Sequence, residues 1–216
     1  MITTIERALC ERLQQGLGRM VNNPVVTWNV LATDIGIALR QLPGVCVVFS
    51  GITNTKPHDT SRQRFLVTGR FSVFVADYNL RSNESVRHGG PGIEEPGCYR
   101  MIRSVRRLLT GQDLGLKIDY LRPESVRPVA GQVFNEKGIA VYECVFSTQW
   151  IDDALDNGHW PAPESPDDAD ADFVRWSGRT EKPLPWHETM RMSYFLPGND
   201  EPVAEDIILN RTDDDD

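Results

Sequence analysis

The chain has 216 residues, a length that predicts one to two domains, and a formal net charge of −8 that is unevenly divided. Residues 151–216 hold 18 acidic residues against 5 Lys and Arg, which leaves residues 1–150 net basic and sets the end of the chain apart as a solvating or interacting tail. No run approaches the roughly 18 apolar residues of a membrane span, and Met1–Met20 carries charges throughout with no apolar core, so the sequence argues for a soluble protein made in a cytosol.

In chain order, Thr3 and Glu6 have the spacing of a capping box, and Ile2, Ile5, Leu9, Leu13, Leu17 and Met20 recur every three or four residues. This predicts an amphipathic helix from about Thr4 to Leu17, frayed by Gly16 and Gly18 and followed by a turn at Asn22-Asn23-Pro24. Leu31–Leu42 predicts a weaker helix, stopped by Pro43-Gly44. Val45–Ser50 is a continuous run closed by Gly51, the pattern of a strand covered on both faces. Residues 51–62 are polar, contain Pro57 and predict a loop. Arg64–Tyr78 is the longest strand signal: Phe65, Val67, Gly69, Phe71, Val73 and Val75 alternate with Leu66, Thr68, Arg70, Ser72, Phe74 and Ala76. Asn83–Pro96, rich in Gly, Pro and charge, predicts a loop of a length that is usually functional or disordered.

The chain is organised around Gly97–Gly111. At about 100° per residue, Met101, Ile102, Val105, Leu108 and Leu109 share one arc, and Arg100, Arg103, Arg106 and Arg107 share the opposite one. Pro96 and Gly97 mark the start of this helix and Gly111 its stop. A helix of about 13 residues is marginal alone in water, so its apolar arc must rest on something larger. Leu116–Leu121 and Ser125–Ala130 predict a broken strand. Gln132–Asn135 and Ile139–Trp150 are joined by a turn at Asn135-Glu136-Lys137-Gly138, with Ala140, Tyr142, Cys144, Phe146, Thr148 and Trp150 on one face.

Residues 1–150 therefore predict an α+β, sandwich-like body: a mixed or mainly antiparallel sheet with helices packed on one side. From Ile151 the periodicity collapses. Pro161–Asp172 buries too little apolar surface to offset its ordering entropy and predicts an extended, mobile segment. Met190–Leu196 and Val203–Leu209 are short strand patterns suited to pairing with a neighbour. Residues 151–216 thus read as an acidic, Pro- and Asp-rich C-terminal extension that partners order.

Convergent chemistry is scarce. Cys10, Cys46, Cys98 and Cys144 form no CxxC pair and read as small buried hydrophobes in a reducing compartment. His58, His88, His159 and His187 share no metal-ligand spacing, and His58-Asp59 reads as a solvated pair. Arg87–Gly92 superficially has the look of a phosphate cradle but lacks the Lys-Ser/Thr ending, and Glu94-Glu95 and Asp152-Asp153 have no fixed separation for acid and base roles. The sequence thus predicts no enzyme and no catalytic, cofactor-binding or metal site. What stands out is Arg100, Arg103, Arg106 and Arg107, with three readings open: a solvated helix face, a subunit contact with a neighbour's acidic surface, or a nucleic-acid surface. The negative overall charge and the lack of interleaved aromatics weigh against the last.

The order of elements in residues 1–150 resembles the tail terminator family of Mu-like contractile-tailed bacteriophages. The resemblance is carried by the opening Ile2-Thr3-Thr4-Ile5-Glu6, by Leu42–Phe49, by Tyr78-Asn79-Leu80-Arg81-Ser82, by Gly97-Cys98-Tyr99 with Val105–Gly111, and by the closing strand Val141–Thr148. It implies a non-enzymatic virion protein, without cofactors, whose copies form a hexameric ring that caps tail tube and sheath and joins the tail to the neck. The partners implied are further copies of the chain, the tail tube protein, the tail sheath protein and neck or connector proteins. DNA is implied only as cargo in the lumen, no membrane is involved, and the location is the tail–neck junction after synthesis in the host cytoplasm. The alternatives are another neck or head-completion protein on the portal side, or an unrecognised hydrolase using His58 or His88. The resemblance stops near Trp150, so it assigns no purpose to the extension.

Overall fold

The opening helix runs from Ile2 to Leu17 (α1) and buries Ile5, Leu9, Leu13 and Leu17 as a single stripe. The expected capping box is not what starts it. Met1 is the N-cap and makes no side-chain hydrogen bond, while the Glu6 carboxylate accepts a hydrogen bond from the Phe49 amide at 2.7 Å. A long-range sheet contact has taken the side chain that the local motif required.

The computed structural model describes residues 1–22, 24–27, 42–61, 63–78, 87–89, 96–129, 139–181, 189–194 and 204–209. These fall in two units, Met1–Ala154 and Leu155–Asp216. The expected helix at Leu31–Leu42, the turn at 135–138 with its strand Gln132–Asn135, and most of the loop 83–96 lie outside the described residues.

In the first unit, five strands make one mixed sheet: β1 (Val26–Thr27), β2 (Gly44–Pro57), β3 (Arg64–Tyr78), β4 (Arg122–Pro128) and β5 (Ile139–Asp153), in the order β1-β2-β3-β5-β4. The short β1 is parallel to β2 and the other pairs are antiparallel. The α+β fold expected from the sequence is the one observed. Central β3 pairs with β5 along its whole length and with β2 from Phe65 to Ala76. Its alternation places Val67, Phe71, Val73 and Val75 in one core with Val45 and Val47 of β2, Cys144, Phe146 and Trp150 of β5, and the buried stripe of α1. Full burial of a side chain such as Phe71 or Phe146 contributes roughly 1.5–3 kcal/mol, and this layer holds the helices to the sheet. Gly69, opposite Thr148, leaves room for the Trp150 ring, since a Cβ there would lie 2.4 Å from the indole.

Part of the other sheet face is buried as well, including Cys46 of the apolar run of β2. Cys46, Ser72, Ala76, Val141, Glu143, Val145 and Ser147 are all covered. The carboxylate in this layer is tolerated because it is paired: Ser72 Oγ donates to Glu143 Oε1 at 2.6 Å and Arg127 Nε donates to Glu143 Oε2 at 2.6 Å. Burial alone would raise the Glu143 carboxyl, but the hydrogen bonds from Arg127 and Ser72, with the guanidinium charge, outweigh it and hold the group below the usual carboxylate range.

Two expectations are corrected here. Residues 51–57 are strand rather than loop: β2 stays hydrogen-bonded to β3 out to Pro57, through register shifts between Phe49 and Gly51 and between Ile52 and Asn54. Leu116–Leu121 is turn rather than strand. Gly115 has φ +71° and its amide donates to Asp113 Oδ1, and the chain returns to the sheet only at Arg122.

In the second unit, the stretch expected to be extended is instead a series of turns closed by a short helix, α3 (Ala171–Arg175). Local contacts hold it: His159 Nδ1 lies 3.0 Å from Glu181, the Arg179 guanidinium lies 4.2 Å from the centre of the Trp160 ring, and the Glu181 amide donates to Pro161 O. The two strand patterns are strands, β6 (Thr189–Tyr194) and β7 (Ala204–Leu209), and they pair antiparallel with each other.

Candidate functional site

The helix at the centre of the sequence spans Gly97–Leu109 (α2). Met101, Val105 and Leu109 are fully buried against the sheet, while Arg100, Arg103 and Arg107 are exposed and Arg106 is half-buried. Both ends are fastened. At the start, Gly97 adopts φ +72° and its amide donates to Asp77 Oδ2 at 3.1 Å, while Tyr78 N donates to the other oxygen of the same carboxylate. The carboxylate at a helix N-terminus is favourable, and a Cβ on Gly97 would lie 2.2 Å from Gly89 N, so only glycine fits. At the other end Arg12 of α1 donates from Nε to Leu108 O at 2.7 Å, and Gly16 lets the Leu108 side chain approach α1 closely. The arginines therefore project from a rigid platform.

The structure divides the four. Arg100 and Arg107 point outward from the helix, whereas Arg103 and Arg106 line a groove with Tyr99 and Ile102 of α2, Val126 of β4 and Tyr142 of β5. Its volume is about 460 Å³. The Tyr99 and Tyr142 rings meet at an angle with centroids 5.7 Å apart, and His88 stands edge-on to Tyr99 at 5.1 Å. The Tyr142 hydroxyl is pushed up to about 12, first by burial and then by its hydrogen bond with Tyr99, so it stays neutral at physiological pH.

Charge pairing distinguishes this face from the sheet. Arg64 pairs with Asp153, Arg70 with Glu124, Arg122 with Asp119 and Arg127 with Glu143. Among the described residues, Arg100, Arg103, Arg106 and Arg107 make no ion pair, and α2 carries no acidic residue at all. The helix thus presents uncompensated positive charge beside two aromatic rings and two aliphatic side chains, a surface suited to an acidic partner that also brings apolar contact.

The other sequence candidates are scattered. The His58 backbone closes the β2–β3 turn by donating to Arg64 O, and the Asp59 carboxylate accepts from Ser61 Oγ at 2.8 Å. His88 stands instead against Tyr99 near the start of α2, which is hydrogen-bonded to Asp77 at the far end of β3, so β3 separates the two histidines by its 15 residues, roughly 45 Å of strand. His159 pairs with Glu181, and His187 is outside the described residues. Asp152 accepts from the Trp150 indole and Asp153 pairs with Arg64, so both carboxylates serve the end of β5. Cys46, Cys98 and Cys144 are buried and Cys10 is half-buried. Burial chiefly pushes the thiols of Cys10 and Cys144 up to about 11 and that of Cys98 up to about 12. Among the described residues no group of three or more His, Cys, Asp or Glu is placed to hold a metal ion, and no helix is long and apolar enough to cross a membrane.

Sequence reasoning found the arginines and missed the groove. Tyr99, Ile102, Arg103 and Arg106 follow i, i+3, i+4, i+7 spacing, a signal that was available. Val126 and Tyr142 join them only through the docking of α2 on β4 and β5. A protein-family model described as Bacteriophage Mu, Gp37, matches residues 1–151. No curated protein matches the chain.

Proposed function

The chain belongs to the bacteriophage Mu Gp37 family, and from that premise we propose that it is a structural virion protein acting as a tail terminator. In this reading copies of the chain close into a hexameric ring on the last ring of the tail tube, stop growth of tube and sheath, and offer the opposite face to the neck at the tail–neck junction. DNA passes through the lumen as cargo, and the chain does no chemistry. The observation that carries the reading is the unpaired arginine face of α2, fixed at both ends and beside an aromatic groove. A closed ring needs two different complementary faces on each subunit, and a net-basic body with a strongly acidic extension supplies both signs of charge. The residues given to the contact between copies are Arg100, Arg103, Arg106 and Arg107.

The test is to add purified chain to polymerising tail tubes, with and without sheath. Tubes should stop at shorter, narrower length distributions as the chain is titrated in. Unchanged tube length, with capture of portal or adaptor protein instead, would overturn the terminator reading in favour of a portal-side neck protein.

A further inference from the structure

The segment 155–181 is unusual in where it puts its large apolar side chains. Leu155, Trp160, Phe173, Val174 and Trp176 are all exposed, and Trp176 reaches 81%. Such exposure is not a consequence of disorder, because the end of the segment is held by its own backbone. Trp176 N donates to Asp172 O, Ser177 N to Val174 O and Gly178 N to Phe173 O at 2.7 Å. Ala171 of α3 is buried while Phe173 and Trp176 are held outward, flanked by Asp167, Asp168, Asp170 and Asp172. A pre-formed turn that displays two aromatic rings among carboxylates has already met much of the ordering cost of binding. Aromatic anchors of this kind are where interfaces concentrate their energy.

The first unit carries a surface of the opposite character. The groove between α2, β4 and β5 offers Arg103 and Arg106 to carboxylates, and Tyr99, Ile102, Val126 and Tyr142 to aromatic rings. We propose that the aromatic hook Asp167–Trp176 of one copy seats in this groove of a second copy. Phe173 and Trp176 pack on the two tyrosines, Ile102 and Val126, and Asp167 and Asp172 meet Arg103 and Arg106. The contact is heterologous, since hook and groove are different surfaces, so repetition from copy to copy builds a ring or a chain rather than a symmetric dimer. This inference rests on the ring reading above and names the surfaces that close the ring.

The experiment uses full-length chains with reversed charges, all checked for wild-type circular dichroism. The groove variant carries Arg103→Glu and Arg106→Glu; the hook variant carries Asp167→Lys and Asp172→Lys, both at exposed positions. Light scattering across concentration should show wild-type chain associating and each variant weakened by about 10-fold or more. A 1:1 mixture of the two variants should recover association in alternating copies, because the Asp hook of one meets the Arg groove of the other and the Lys hook meets the Glu groove. A chain carrying all four substitutions should recover wild-type assembly. Trp176→Ala should weaken association by about 30-fold, leaving its salt dependence in place. A wild-type chain that stays monomeric, variants that associate as wild type does, or a mixture that remains monomeric would each overturn the contact; the first is the result expected if the hook occupies the groove of its own copy. Capping of tail tubes is scored in parallel. Association without capping overturns the terminator reading alone, and capping by rings that none of these variants disturbs overturns the hook alone.

Discussion

The two units use their large side chains in opposite ways. In Met1–Ala154 the rings of Phe71, Phe146 and Trp150 are buried in a layer shared by two helices and three strands, and the buried carboxylate of Glu143 is hydrogen-bonded to Ser72 and Arg127. In 155–181 the rings of Trp160, Phe173 and Trp176 are exposed, and the buried residues are Pro161, Pro163 and Ala171. The first unit draws stability from its own interior. The second is shaped locally by turns, and its apolar surface has value only against something else. A protein that must fold as a subunit and then join other subunits has use for both arrangements.

The sharpest way to break this contrast is truncation in both units. Phe146→Ala should cost about 3–5 kcal/mol of unfolding free energy, read as a lowered urea midpoint, since it opens a cavity in a fully buried layer. Trp176→Ala should change it by no more than about 0.5 kcal/mol. Equal losses would mean that the extension's aromatics belong to a core after all. Next in size is Gly97→Ala, expected to cost about 2 kcal/mol, because it forces a side chain into φ +72° against the Gly89 backbone. The same change should loosen the Tyr99–Tyr142 contact, visible as a shift in tyrosine fluorescence.

A smaller effect concerns acid. The Glu143 carboxyl titrates lower in the folded chain than in the unfolded one, so its stabilisation is complete above the unfolded carboxyl range and is lost as pH falls through the folded value. Glu143→Gln should therefore destabilise by about 1–2 kcal/mol at pH 7, and the gap from wild type should narrow as thermal unfolding is repeated down to about pH 3. A gap that widened in acid would reverse the sign argued here. The mildest contrast is chemical. With thiols raised to about 11 at Cys10 and Cys144 and to about 12 at Cys98, native chain should react slowly with a thiol reagent at about pH 8 and rapidly once unfolded.

Much of this architecture was legible because burial writes itself into periodicity. Arg64–Tyr78 alternates along its length and is a strand over those same residues; Gly97–Leu109 repeats at helical spacing and is a helix. What was not legible depended on partners distant in the chain. Asn54, Thr55, Lys56 and Pro57 look like a loop because they are exposed, yet they pair with β3, and composition reports burial rather than pairing. Glu6 has the spacing of a helix cap but is engaged by Phe49, 43 residues away. The turns of 155–181 rest on single contacts such as Arg179 on Trp160, which leave no periodic trace. The arginines of the candidate site were visible as a helical arc. Tyr142 and Val126, which turn two of those arginines into a groove, were assembled by the sheet.

The central proposal is that copies of this chain form a ring at the end of a tail tube, and electron microscopy of tubes assembled with gold-labelled chain tests it most directly. The account predicts label on a ring at one end of each tube and none along its length. Bare tube ends, with label on portal-bearing heads or free in solution, would contradict it.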